Sequence, residues 1–142
     1  MVGVLLVTHN GLGDSMVDCV RHVLGRVPDN LRVLSVLATD EPEDKTREGR
    51  ALVEALDSGD GVLLLADMFG ATPSNIGCQL CHLPNVKGVA GGNLPMLLRA
   101  VCNSDKSLDE LAQMTFDGGR DCIVSLNPDS EEGCNAATRC TD

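Results

Sequence analysis

The chain has 142 residues, which suits one domain with a sizeable core. It is 43% hydrophobic but only 1% aromatic, so its core must be built from aliphatic side chains. Eleven basic and 21 acidic residues leave a net charge of −10. This charge argues against nucleic acid or an anionic membrane as the main partner and favours a basic protein.

The sequence contains no sign of export or membrane insertion. No apolar run reaches the roughly 20 residues of a membrane span. The first residues, MVGVLLVTHNG, lack the basic segment and the small-residue cleavage site of a signal peptide. We therefore expect a cytoplasmic protein, in which the seven cysteines are reduced thiols.

In the first half of the chain, apolar strands alternate with helices. Fully or largely apolar runs predict strands at residues 2–7, 31–37 and 62–66. Helical spacing of apolar residues follows the first two runs, and these helices are expected to end near Gly25 and Gly59.

The second half continues the same alternation. Thr72 and Pro73 predict an N-cap and a first helical residue, for a helix that runs to about residue 82. A strand at residues 86–90 is followed by a helix at 95–102. Three further elements complete the chain: a short helix that begins at the capping-box residues Ser107 and Glu110, a last strand at 122–126, and a flexible acidic tail at 127–142. The alternation predicts an α/β fold with four parallel strands.

Two polar side chains follow the first and third strands directly. His9 ends the first apolar run, and Asp67 ends the third. In open parallel sheets, ligands bind beyond the carboxyl ends of the strands where the winding reverses. If these strands are neighbours, Asp67 can accept a hydrogen bond from Nδ1–H of His9 and leave Nε2 as a nucleophile.

The residues after Asp67 favour binding of an anion. The stretch DMFGATP leads from a strand end through small residues into a helix N-terminus. Backbone N–H groups at Gly70 and Ala71, the helix dipole and the Thr72 hydroxyl suit a phosphate. A histidine, a carboxylate and an anion site together predict a phosphohistidine site.

Three motifs carry a resemblance to a known family. In order, they are VTHNGLGDSM, LLLADMFGATPSN and AGGNLPMLL. With them, the chain over residues 1–126 resembles the enzyme IIA (EIIA) domain of the mannose family of the bacterial phosphoenolpyruvate:sugar phosphotransferase system (PTS). The resemblance implies an open, doubly wound sheet of strand order 2-1-3-4. It also implies a fifth, antiparallel strand that is exchanged within a homodimer.

The resemblance also implies a reaction and its residues. His9 would take a phosphoryl group from the phosphocarrier protein HPr and pass it to an enzyme IIB, with Asp67 orienting the ring and Thr72 contacting the phosphate. The membrane would be reached only through an enzyme IIC/IID permease, and no cofactor or metal is expected. In the best-known member, Thr-Trp occupies the positions of Met68-Phe69 in this chain. In that member a IIB domain also follows, and this second difference leaves the downstream acceptor open.

Other interpretations of the same residues stay open. A non-catalytic regulatory module of this fold would bind an anion or a partner in the same crevice, and a dihydroxyacetone kinase system uses a similar phosphotransfer subunit. Gly11-Leu12-Gly13 partly matches a dinucleotide fingerprint, but Met16 replaces the third glycine. The run CQLCH at 78–82 matches the haem attachment signature, although small buried thiols explain it better.

Overall fold

A four-stranded parallel sheet forms the centre of the molecule. The computed structural model describes residues 1–128, so most of the predicted tail at 127–142 lies outside the described residues. The strand order is β2-β1-β3-β4, which confirms the predicted topology. The strands are β1 (Gly3–His9), β2 (Leu31–Val36), β3 (Val62–Ala66) and β4 (Val86–Ala90).

Five helices cover the two faces of the sheet. Helices α1, α4 and α5 pack on one face, and α2 and α3 pack on the other. None of the described helices is long and apolar enough to cross a lipid bilayer. The helices are α1 (Leu12–Leu24), α2 (Pro42–Leu56), α3 (Thr72–Leu80), α4 (Leu94–Cys102) and α5 (Leu108–Asp121).

The apolar runs of the strands divide between two cores. In β1, Val4 and Leu6 point to the core under α1, α4 and α5, whereas Leu5 and Val7 point to the core under α2 and α3. Side chains alternate between the faces of a strand, so a strand buried on both sides needs an unbroken apolar sequence. The run in β3 is explained in the same way.

The winding of the chain reverses between β1 and β3. After β1 the chain enters α1 on one face, and after β3 it enters α3 on the other. These strands are parallel neighbours in a register that pairs Val7 with Ala66. The residues that follow them therefore share one crevice, as expected at such a reversal.

The glycine pair at 118–119 lies inside helix α5, which is longer than the short helix predicted there. Helix α5 begins after its cap Ser107, as predicted, but it runs for 14 residues rather than being short. A Cβ atom on Gly119 would lie 2.1 Å from Cγ of Met96, and one on Gly118 would lie 2.9 Å from Cγ of Arg99. The pair thus lets α4 and α5 approach closely and does not mark a break in structure.

The predicted fifth strand does not form within the chain. Helix α5 ends at Asp121, and residues 123–127 have no regular secondary structure. A strand needs a neighbour to satisfy its backbone groups, and this segment pairs with no strand among residues 1–128. Its exchange between two copies stays a prediction.

Candidate functional site

The structure brings His9 and Asp67 together at the reversal of winding. Nδ1 of the His9 ring lies 2.7 Å from Oδ2 of Asp67. The backbone N–H of His9 donates to the same oxygen at 2.9 Å. One carboxylate oxygen therefore holds both the ring and the main chain of the histidine, which fixes the ring against the end of β1.

Asp67 is held as a carboxylate. Its side chain is only 7% exposed, and burial alone would raise its pKa. Hydrogen bonds from the backbone and ring of His9, the charge of that ring, and the backbone N–H of Met68 outweigh burial and lower the pKa of Asp67 below its usual range. A negative charge therefore stays beside His9 at neutral pH.

The contact with Asp67 distinguishes the two ring nitrogens of His9. When Nδ1 carries the proton that Asp67 accepts, Nε2 carries the free lone pair. The His9 side chain is 43% exposed, so the ring is accessible although its partner is buried. With the proton on Nδ1, the pair thus presents Nε2 as an available nucleophile.

Ser74 organises the loop between β3 and α3, and sequence reasoning missed it. Its hydroxyl accepts hydrogen bonds from the backbone N–H groups of Gly70 at 3.0 Å and Ala71 at 3.2 Å, and it donates to the carbonyl of Ala71. Ser74 is 4% exposed. It stands three residues after the N-cap, where a polar side chain reaches back to the cap, and this spacing was the available signal.

Helix α3 begins one residue earlier than predicted. Ala71 is its N-cap, so Thr72 is the first helical residue and Pro73 the second. Thr72 is exposed, and neither its N–H nor its hydroxyl has a hydrogen-bond partner among residues 1–128. No hydrogen bond in that part of the chain joins His9 to Gly70, Ala71 or Thr72, which lie on the loop that follows Asp67.

The motif at 91–93 supports the site from the β4 side. Gly91 has a φ of +89°, which favours glycine. The N–H of Gly92 donates to the carbonyl of Ala66 at 2.8 Å. A Cβ on Gly92 would lie only 2.9 Å from the same oxygen. Asn93 caps α4 by accepting from Met96 N–H at 3.0 Å. The close approach of Gly92 therefore fixes the strand end that carries Asp67.

The glycines after His9 serve packing and turning. The left-handed residue of this turn is Asn10, with a φ of +45°, whereas Gly11 has a φ of −85°. A Cβ on Gly13 would lie 2.8 Å from the hydroxyl of Thr8, which accepts a hydrogen bond from Gly13 N–H. Contact between α1 and β1 thus explains Gly13 without a dinucleotide.

The cysteines of the described chain are of two kinds. Cys122 is disulfide-bonded, so the expectation of reduced thiols throughout is wrong at that position. Four others are free thiols, namely Cys19, Cys78, Cys81 and Cys102. Within residues 1–128 no cluster of three potential ligands could hold a metal ion. Two further cysteines, Cys134 and Cys140, lie outside the described residues.

Comparison with known proteins identifies the family. The family model described as the fructose IIA component of the PTS (EIIA-man) matches residues 3–116. The chain belongs to this EIIA family. The mannose-specific EIIAB component of Escherichia coli K12 is 24% identical over 128 residues, which cover 88% of this chain and 39% of that relative. The chain therefore spans about two fifths of the length of the EIIAB protein.

Solved structures share the EIIA fold. The mannose/sorbose-specific IIA subunit from Enterococcus faecalis superposes with a TM-score of 0.79 at 23% identity, covering 89% of this chain and 95% of that one. A sigma-54 interaction domain protein from the same organism gives 0.71 at 21% identity, covering 86% and 93%. Both proteins thus share the fold of this chain.

Proposed function

We propose that this chain is a phosphoryl carrier of the PTS. The Nε2 atom of His9 accepts the phosphoryl group of phospho-HPr and passes it to an acceptor side chain of an enzyme IIB in the cytoplasm. The observation that carries the proposal is the 2.7 Å contact between Nδ1 of His9 and the buried Asp67 carboxylate. An accessible ring with one nitrogen held is the arrangement that a histidine nucleophile requires.

The chemistry needs little proton movement. The lone pair of Nε2 attacks the phosphorus, the bond between phosphorus and the HPr nitrogen breaks, and its electron pair returns to the HPr ring. The proton on Nδ1 stays in its hydrogen bond to Asp67. The His9 ring gains positive character as the new P–N bond forms, and the carboxylate beside it offsets that charge.

The loop before α3 would receive the phosphate. Thr72 offers a hydroxyl and an N–H that are unpaired among residues 1–128, at the helix N-terminus, where an anion is stabilised. The N–H groups of Gly70 and Ala71 are engaged by Ser74 in the free protein. They contribute to phosphate binding only when the Ser74 hydroxyl turns away. We therefore assign the first contact to Thr72.

An apolar rim surrounds the site and suits a protein donor. Large hydrophobic side chains stand exposed just after each of the four strands, at the edge that carries His9. Phe69 is the most exposed of them, at 81%. The members are Leu12, Leu37, Met68, Phe69 and Leu94. With a net charge of −10, this surface favours a partner whose apolar patch is bordered by basic residues.

A homodimer completes the proposal. Strand β4 is an edge of the sheet, because its only strand neighbour within residues 1–128 is β3. Ile123 and Leu126, just beyond α5, are each about three-quarters exposed (74% and 76%). A free edge and an exposed apolar segment favour pairing with a second copy. Light scattering should give twice the chain mass, and a monomer at micromolar concentration would contradict the exchange.

Incubation with phosphoenolpyruvate, enzyme I and HPr tests the carrier role. We expect one phosphate per chain, labile to acid and stable to base, that is then lost to an added IIB protein. A regulatory module that only binds an anion would gain no phosphate. Loss of the phosphate to a dihydroxyacetone kinase subunit, but not to IIB, would contradict the IIB assignment while retaining the carrier role.

A further inference from the structure

An apolar cavity of about 430 Å³ lies between α3 and the edge strand β4. The wall of this cavity contains His82 and the thiols of Cys78 and Cys81, none of which takes part in the proposed phosphoryl transfer. Val7, Leu64 and Val89 supply much of its apolar lining, and Cys78 and Cys81 lie in the same wall. The cavity therefore places two thiols beside an apolar space that also reaches Phe69 and Ser74 of the loop before α3.

The two thiols differ in accessibility and lie one helical turn apart. Cys78 is exposed on α3, and Cys81 is half-buried just after the last helical residue. Sγ of Cys81 rests over Gly88, where a Cβ would lie only 2.8 Å from it. Burial, with a smaller contribution from the nearby Cys78, raises the pKa of the Cys81 thiol.

The geometry allows the two sulfur atoms to meet. Residues three apart on a helix have Cβ atoms about 5–6 Å apart, whereas a disulfide needs about 3.5–4.5 Å. A shift of one or two ångströms closes that gap. Cys81 is the C-cap of α3, held by a hydrogen bond to Gly77. The end of a helix can move by this amount at lower cost than its interior.

We propose that Cys78 and Cys81 form a dithiol site that reacts with small-molecule disulfides to give an intramolecular disulfide at the cavity. The Cys78 thiolate attacks one sulfur of the reagent and expels the other half as a thiolate. The Cys81 thiolate then attacks Sγ of Cys78 and expels the second half. Two protein thiols are oxidised, and one reagent disulfide is reduced to two thiols that take up the two protons the protein thiols lose.

Accessibility sets the order of the two steps. Cys78 can meet the reagent in solvent, whereas Cys81 first meets it as a mixed disulfide held one turn away. The cavity gives the small organic half of the reagent an apolar place to occupy between the steps. Neither thiol takes part in the proposed transfer at His9, so failure of either proposal leaves the other intact.

Peptide mapping after treatment with bis(2-hydroxyethyl) disulfide tests the proposal. Trypsin cleavage after Arg50 and Lys87 releases residues 51–87, which contain Cys78 and Cys81 and no other cysteine. We expect this peptide to lose about 2 Da, the mass of two hydrogens, after passing through a mixed disulfide. Residues 100–106 contain the exposed Cys102 alone and serve as the matched control that keeps the adduct.

Two variants test the order of the steps. Cys81→Ser should retain a stable adduct on Cys78, and Cys78→Ser should acquire an adduct at least about tenfold more slowly than the native protein. The proposal is overturned if the native peptide keeps one or two adducts without the loss of two hydrogens. It is overturned equally if Cys78→Ser reacts as fast as the native protein. Circular dichroism on each variant verifies that the fold is retained.

Discussion

Oδ2 of Asp67 accepts hydrogen bonds from both the ring and the backbone of His9, at 2.7 and 2.9 Å. The same oxygen therefore ties the orientation of the imidazole to the position of the strand end. Because the carboxylate is buried and the ring is partly exposed, the pair directs one nitrogen inward and leaves the other for reaction. Variants of Asp67, of the two loop hydroxyls and of Gly119 can test the charge, the loop and the helix packing separately.

Replacing Asp67 with Asn should slow phosphoryl transfer without unfolding the protein. Asparagine can still accept from Nδ1–H, but it carries no charge and can turn its amide group to the ring, favouring the wrong tautomer. A wrong tautomer in a hydrolase triad costs about four orders of magnitude. Transfer to imidazole moves fewer protons, so we expect a loss of roughly ten- to a thousandfold. The transfer rate from phospho-HPr measures it, and a native rate would refute the role of Asp67.

The same carboxylate should make stability depend on acid. Its pKa is depressed in the folded state from an ordinary value of 3.8. The stability that Asp67 contributes to the fold is therefore fully present above pH 3.8. It is lost as the pH falls through the lower pKa that Asp67 has in the folded state. Urea unfolding at successive pH values measures the difference in unfolding free energy between the native protein and Asp67→Asn. We expect this difference to shrink below pH 3.8. A difference that grows on acidification would contradict the direction of the shift.

The two hydroxyls of the loop should have separable effects. Thr72→Ala removes an exposed hydroxyl that has no hydrogen-bond partner among residues 1–128, so it should reduce transfer about tenfold, or ~1–2 kcal/mol, and leave stability unchanged. Ser74→Ala removes the acceptor of two backbone N–H groups and should lower the free energy of unfolding by about 1–2 kcal/mol. Transfer kinetics and urea unfolding of both variants test this division. Equal losses of stability in the two would contradict it.

Gly119→Ala tests the close packing of α4 and α5. The added Cβ would meet Met96 at 2.1 Å, and we expect a loss of about 1–3 kcal/mol in unfolding free energy. Gly77→Ala is the matched helical control. Among residues 1–128, no atom beyond its chain neighbours and the backbone of its own helix lies within 4 Å of its added Cβ, and alanine is the better helix former. If Gly119→Ala is as stable as Gly77→Ala, the glycine pair does not serve helix contact.

The sequence predicted the four strands because burial on both faces leaves an unambiguous apolar run, as in Val62–Ala66. It also predicted the contact of His9 with Asp67, since both residues end neighbouring parallel strands. It could not predict that Gly118 and Gly119 lie inside α5. A glycine pair has no side chains to show periodicity, and the positions of Met96 and Arg99 explain it.

Ser74 was missed for a related reason. Its role depends on the loop conformation that brings Gly70 N–H to its hydroxyl, and Gly70 adopts a φ of +84° to do so. The conformation of a loop of small residues is not encoded in hydrophobic spacing. The cap of α3 was displaced by one residue for the same reason, because Ser74 satisfies the N–H of Ala71 and makes Ala71 the cap.

The position of the phosphate on the chain tests most directly whether Nε2 of His9 is the phosphoryl carrier. The chain has three histidines, His9, His22 and His82, and each ring has two nitrogens. Nitrogen–phosphorus coupling in the ¹⁵N-labelled, phosphorylated protein identifies both the residue and the atom. We expect phosphate on Nε2 of His9, and none in His9→Ala. Phosphate on Nδ1 of His9, on His22 or on His82 would contradict it.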